Sequence, residues 1–337
     1  MKLNKFSIIY CIITIALFLT SCEKESTVHI VPDSVDKLDY HGLNVRMPDS
    51  YNSEILTYEL SDLQSIFNSN RENSLKKSSS EFFITFDELD DLALSVINKY
   101  PNTDSLSQTD INLIKEFFID IDDLTIFENI DLIEDFFESL MRYDYVDTLS
   151  KYTPLQLKSS KYLGYDVSRA EFWALVWHPK LVNSTRKATE KANELTTQYF
   201  PNQSAWQTKA DAFRHAMWNA LIAKYVGAQK NSIDKCVKWA KKFTDKHEEG
   251  GEKPDDWTDE EFKFDNAMDY HNNKIGRDYF KTVAWEDKRK WYQATRVKAP
   301  SDKVMADAIF DKTKSAKKVS NRSQISLYPS NLVYIKD

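Results

Sequence analysis

The sequence predicts an all-α protein: a multi-helix globular C-terminal domain, preceded by a small acidic helical unit and a tether. Three observations lead there. From Ser168 onward, apolar residues recur at helical spacing between N-cap signals and Gly or Pro stops. Residues 81–150 carry three more apolar runs at that spacing. Composition also changes along the chain: residues 23–150 hold 28 acidic and 9 basic side chains, while residues 151–337 are net +10. All eight tryptophans lie in the second part, starting at Trp173. A boundary near 150–165 follows, within a 337-residue chain of net charge −7.

The first residues set the expected compartment. Lys2 and Lys5 precede an apolar run, Phe6 to Leu19, of signal h-region length and too short to span a bilayer comfortably. Leu19-Thr20-Ser21-Cys22 then resembles a bacterial lipobox. Residues 1–21 are expected to leave as a lipoprotein signal peptide, with Cys22 lipidated. The protein would sit in the cell envelope, held to a membrane by acyl chains at the outer membrane or cell surface. Cys11 leaves with the signal, so Cys236 is the remaining thiol and no intramolecular disulfide is available. Its helical spacing marks it as a small core residue.

Residues 22–80 have few apolar runs and a Ser/Asn/Lys-rich end from Asn68 to Ser80, which predicts a largely disordered tether. The acidic unit, 81–150, begins with Phe86, Leu89, Leu92, Leu94, Val96 and Ile97 at helical intervals. Thr109-Asp110 caps a second run through Phe118, and Ile126 to Leu140 makes a third. Asp120-Ile121-Asp122-Asp123 is not an EF-hand loop, because Thr125 stands where glycine is required. The all-α domain spans 165–312. Ser168 caps a helix through Trp173 and Trp177, which Pro179 interrupts. Ser184 to Tyr199 is amphipathic. Gln207 to Val226 ends at Gly227, and Ser232 to Glu248 ends at Gly250-Gly251. Thr258-Asp259-Glu260-Glu261 starts a helix running to about Lys281. Trp285 to Ala294 and Asp302 to Lys312 read as shorter helices. Residues 313–337 form an extended closing segment with a candidate strand at Leu332 to Ile335.

Three of these helices carry polar groups on faces that should be buried. At about 100° per residue, Asp265, Asp269, Asn272 and Gly276 share one line, with Asn273 beside it. Lys263, Tyr270, Lys274, Arg277 and Lys281 fall opposite and define a wet face. Asp211, Arg214, His215 and Trp218 form a second stripe, with Asn219 at its edge. On a third helix Cys236, Ala240, Phe243 and His247 continue an apolar face, and Glu248 follows directly. Buried ionisable groups are costly unless paired, so such stripes serve either chemistry or a structural network.

The candidate catalytic residues are therefore His215, Asp269, His247, Asp211, Arg214, Asn219, Asn272 and Asn273. Two chemistries fit. His215, held by an Asp of a facing helix, could act as general base in a hydrolase on an envelope or extracellular substrate, with Arg214 and the Asn side chains on a developing oxyanion. Alternatively His215, His247 and Asp269 could ligate a divalent metal such as zinc, although no H-x-x-x-H or H-E-x-x-H spacing is present. The competing reading is a non-catalytic surface interaction module in which these groups only fix helix register. The basic domain suits an anionic envelope substrate, or the acidic unit docking on it; nucleic acid is the least favoured partner.

The combination Glu171-Phe172-Trp173, His178-Pro179, Asp211-Ala212-Phe213-Arg214-His215-Ala216-Met217-Trp218-Asn219-Ala220-Leu221, His247-Glu248 and Met268-Asp269-Tyr270-His271-Asn272-Asn273-Lys274-Ile275-Gly276-Arg277 resembles a bacterial domain of unknown function. That domain occurs in lipoproteins, secreted proteins and some toxin-like proteins. The resemblance covers about 165–312 and implies an all-helical fold without a settled activity. The Arg214-His215 helix is also similar to the catalytic helix of small secreted phospholipases A2, where a helix His pairs with a facing Asp. Those enzymes carry a calcium-binding Asp after the His; Ala216 stands here, so that activity is not implied.

Overall fold

The computed structural model describes residues 37–74, 84–152, 167–204, 206–251, 253–287 and 295–337. The apolar run Phe6 to Leu19, Cys11 and Cys22 lie outside them. The described chain is predominantly helical, with only short strands.

Residues 37–74, expected to be tether, are folded. Strands β1 (Lys37–Tyr40) and β2 (Leu43–Arg46) make an antiparallel hairpin. His41 and Gly42 turn it with φ of 52° and 90°, the left-handed backbone a two-residue hairpin turn needs. A 3-10 turn, Ser53–Thr57, leads into α1 (Leu60–Ser74). Isolated apolar residues carry this segment: Val45, Met47, Ile55, Leu63 and Phe67 are all buried. They are too sparse to show a period, and tertiary contacts order them.

The acidic unit continues with α2 (Phe86–Ile97), α3 (Gln108–Phe117), α4 (Asp123–Glu128) and α5 (Ile130–Lys151). Thr85 with Glu88 forms a capping box on α2. Ser107, not Thr109, caps α3, because the reciprocal partner Asp110 stands three residues after it. The third run is longer than its apolar part: α5 brings Phe136, Phe137, Tyr145 and Leu149 into the core. Its Tyr145 hydroxyl donates to the Leu89 carbonyl at 2.8 Å.

The second half contains α6 (Arg169–Val176), a 3-10 turn at Pro179–Leu181, α7 (Val182–Tyr199), α8 (Lys209–Tyr225), α9 (Ile233–Gly250), α10 (Asp259–Val283) and α11 (Asp302–Lys314). Ser168 with Glu171 and Thr258 with Glu261 form capping boxes on α6 and α10. Helix α8 is the axle, touching α7, α9, α10 and α11. Every residue from Ala210 to Ala223 except Arg214 is buried. Across the two halves, Arg186 pairs with Asp87 at 3.0 Å and Asp90 at 2.9 Å, and Lys180 with Asp104 at 3.1 Å and Glu134 at 2.6 Å. One buried apolar cluster runs from Val45 to Leu332.

One element differs in kind from expectation. Of the expected Trp285 to Ala294 helix only Trp285–Asp287 is described, and it is a strand: β3 (Trp285–Asp287) pairs antiparallel with β4 (Arg296–Lys298), and residues 288–294 lie outside the described set. The pairing is anchored by buried Val297, whose carbonyl packs where a Cβ on Gly227 would stand, at 2.4 Å. The closing segment contains β6 (Val333–Tyr334), parallel to β5 (Lys317–Lys318), with a short helix α12 (Arg322–Ile325) between them.

Gly276 fixes how α10 crosses α8. A Cβ there would stand 2.0 Å from the Ala216 carbonyl oxygen, so the two backbones touch one residue beyond His215. Backbone cannot yield as a side-chain tip can. Gly276→Ala should cost about 3 kcal/mol through overpacking. Urea unfolding checks this, and an unchanged midpoint would show that the helices are not locked at this point.

Candidate functional site

The centre is assembled where α8, α9 and α10 meet. Thr208 caps α8, its hydroxyl accepting from Ala210 N–H at 3.2 Å. Just before it, Gln207 adopts φ of 64°, an uncommon backbone for a non-glycine residue. Three polar groups of Gln207 are in use. Its N–H donates to Asp211 Oδ2 at 2.6 Å, and its side chain donates to Asp265 Oδ1 at 2.9 Å. Its carbonyl accepts from Ile335 N–H at 2.8 Å and Lys336 N–H at 2.7 Å. The strained residue thus ties the closing segment to two of the carboxylates.

His215 is the hub, with 1 % of its surface exposed. Arg214 Nη2 lies 2.6 Å from His215 Nε2 and 2.7 Å from Asp211 Oδ1. A guanidinium only donates, so Nε2 must present its lone pair and the ring proton sits on Nδ1. That proton faces Asn273 Oδ1 at 3.2 Å. The same oxygen accepts from Asn219 Nδ2 at 2.6 Å, and Asn273 Nδ2 donates to Glu248 Oε1 at 3.0 Å. The Asn273 amide is thereby fixed, and it fixes the tautomer of His215.

The Nε2 lone pair points at two carboxylates. Asp269 Oδ1 is 3.1 Å away and Asp211 Oδ1 is 3.4 Å away. Asp269 Oδ1 is buried and has no hydrogen-bond partner among the described residues despite that proximity. The three ligand atoms lie within 4.8 Å of one another. Burial works against ionising Asp211, but the Arg214 guanidinium and the Gln207 N–H hold its carboxyl below the usual range. Asp269 is pushed well above it by burial and then by the charges of Glu248, Asp211 and Asp265. Asp265 is raised by burial, with Gln207 opposing.

Two candidates from the sequence lie elsewhere. His247 turns to Glu171, Nδ1 to Oε1 2.9 Å, and packs its edge on Trp218 with ring centroids 5.0 Å apart. Asn272 acts as a peptide mimic for β6: it donates to the Val333 carbonyl at 2.9 Å and accepts from Val333 N–H at 3.0 Å. Arg277, expected on the wet face, is buried and donates to Asn219 Oδ1 at 2.6 Å. Burial also pushes its pKa down. The structure thus joins Asp211, Arg214, His215, Asn219, Asp269 and Asn273, and adds Glu248, Thr244, Arg277 and Gln207.

A signal for Glu248 exists in the sequence. Cys236, Ala240, Thr244 and Glu248 follow at +4 steps, beside the Trp239, Phe243, His247 line. The first line meets α10, where Glu248 Oε1 accepts from Asn273 Nδ2 at 3.0 Å. Thr244 confirms the register, its hydroxyl reaching Asn219 Oδ1 at 3.1 Å.

With that geometry in place, comparison with known families gives one match. Residues 172–317 match the model described as Domain of unknown function (DUF6973). The stretch matched by DUF6973 contains Asp211, Arg214, His215, Asn219, Glu248, Asp269 and Asn273. No match was found among curated proteins or among solved structures.

The His247–Glu171 pair generates a pH prediction. Burial lowers the imidazole pKa, but the hydrogen bond and charge of Glu171 raise it above its ordinary value. The pair therefore contributes fully below the unfolded value of about 6.5 and is lost as pH rises through the elevated folded value. Measured against His247→Gln by urea unfolding, the wild-type advantage should be largest below about pH 6.5 and shrink above it. An advantage that grows with pH would contradict the pairing.

Proposed function

We propose that this is a lipid-anchored cell-envelope hydrolase whose centre holds a divalent cation, such as zinc, through Asp211, His215 and Asp269. The observation that carries the reading is Asp269 Oδ1, a buried acceptor without a donor, facing a histidine lone pair and a second carboxylate. Three electron-rich atoms facing each other repel unless a positive charge joins them; Arg214 joins two, and Asp269, pushed toward its neutral form, is joined by a proton or by a cation. The two carboxylate oxygens, 3.1 Å and 3.4 Å from Nε2, have a spacing that suits a cation: ligand atoms each about 2.1 Å from a common ion stand roughly 3–3.5 Å apart. The envelope address and the Cys22 anchor rest on the signal-like run and lipobox-like end of the chain.

A bound cation would acidify a water and polarise the scissile group. The protein's own groups do the rest. Asn273 keeps the proton on Nδ1, and Glu248 and Asn219 keep Asn273 in place. Gln207 N–H occupies Asp211 Oδ2, leaving Oδ1 toward the centre. Arg214, with 19 % of its side chain exposed, is the part of the cluster nearest solvent and is placed to meet a developing oxyanion.

A second reading rests on the same Arg214. Its Nη2 already bridges Nε2 and Asp211 Oδ1, as the cation of a closed structural network would. The readings predict opposite outcomes. If the centre binds metal, Asp269→Asn removes zinc binding in calorimetric titration while the apo protein stays folded. Glu248→Gln weakens zinc binding about 10–100-fold, as loss of an outer partner does. Arg214→Ala leaves zinc binding intact or strengthens it. If the centre is only a network, wild type binds no zinc and Arg214→Ala unfolds the domain, because Asp211 loses its counter-charge.

A further inference from the structure

A concave site lies away from the polar centre, where α1, α6 and α9 meet. It encloses about 430 Å³. Its walls are apolar, with Leu60, Trp173 and Trp177 among them. Its rim is cationic, formed by Arg169, Lys242 and Lys246, and neither Asp nor Glu lines it. Lys246 pairs with Glu249. Arg169 and Lys242 form no ion pair among the described residues. The hydrogen-bond partner of Lys242 is His178 Nε2 at 3.2 Å. That imidazole cannot neutralise it: burial, then Lys242, Lys230 and Arg142, push His178 down to about 2. Lys242 itself is depressed by burial and by Arg142, Lys246 and Lys238. Arg142 is committed elsewhere, stacked 4.5 Å from the Trp177 ring and bonded to Glu138 at 2.6 Å.

An apolar hollow edged by Arg169 and Lys242, which form no ion pair among the described residues, has a defined complement: a molecule with a hydrocarbon body and a single anionic head. We propose that this cavity binds a fatty-acyl carboxylate, its chain against Leu60, Trp173 and Trp177 and its head on Arg169 and Lys242. A planar carboxylate matches the guanidinium fork of Arg169, with Lys242 supplying a second, point-like charge. The site is independent of the metal reading, sharing no residue with Asp211, His215 and Asp269.

The test is isothermal titration of the full chain carrying Cys22→Ser with dodecanoate below its micelle threshold, and with dodecanol as neutral comparator. Dodecanoate should bind saturably at one site, at least about tenfold tighter than dodecanol. Lys242→Gln and Arg169→Gln should each weaken it about tenfold, and both are exposed positions where the fold does not depend on the charge. Trp177→Leu should weaken both ligands alike. Absence of saturable binding, equal affinity for dodecanol, or unchanged affinity in both charge variants would each overturn the proposal.

Discussion

The burial of α8 on all sides is the constraint from which the rest of the structure follows. A helix enclosed by α7, α9, α10 and α11 cannot leave its polar side chains to water, so each must be answered by a neighbour. Asn273 answers most of them. It accepts from His215 and Asn219 of α8 and donates to Glu248 of α9, joining three helices through one amide. Gly276, one turn on, lets α10 approach closely enough for that amide to reach. Arg277 and Thr244 then satisfy the far side of Asn219. Packing and polar order are one arrangement here.

That arrangement is complete on the Nδ1 side of His215 and incomplete on the Nε2 side. Around Nδ1, each donor meets an acceptor. Around Nε2, two carboxylate oxygens and a lone pair converge, Arg214 serves part of the set, and Asp269 Oδ1 is left over. An unmet buried acceptor costs about 1–3 kcal/mol, and a cation between Asp269 Oδ1, Nε2 and Asp211 Oδ1 would remove that cost. The asymmetry is why a ligand-binding role is preferred over helix registration.

Much of this was legible in the sequence, and the failures have physical causes. The capping signals Ser168, Ser232 and Thr258 located helix starts because capping is local chemistry. The stripes of α8 and α10 pointed inward, which brought Asp211, His215 and Asp269 together. His247 and Asn272 were drawn in because a wheel shows that a face is covered, not what covers it. Adjacent positions differ by about 100°, so on a broad buried face one points to α10 and its neighbour to α6. His247 and Glu248 exchanged roles for that reason. Arg277 looked solvent-facing because α10 is covered on more than one side. The hairpin and α1 went unseen because their apolar residues are isolated, and the left-handed backbone of Gln207 has no composition signature. The Trp285 strand depends on Val297 docking at Gly227, a contact that lies far off in sequence.

The central claim, that the His215 centre is built for a cation, is tested most directly by an anomalous difference map from crystals of the protein grown with zinc. The account predicts a peak about 2.0–2.2 Å from His215 Nε2 and from one oxygen each of Asp211 and Asp269, with Arg214 Nη2 displaced from the ring nitrogen. A map without a peak there, and with Arg214 still bridging Nε2 and Asp211, would contradict it.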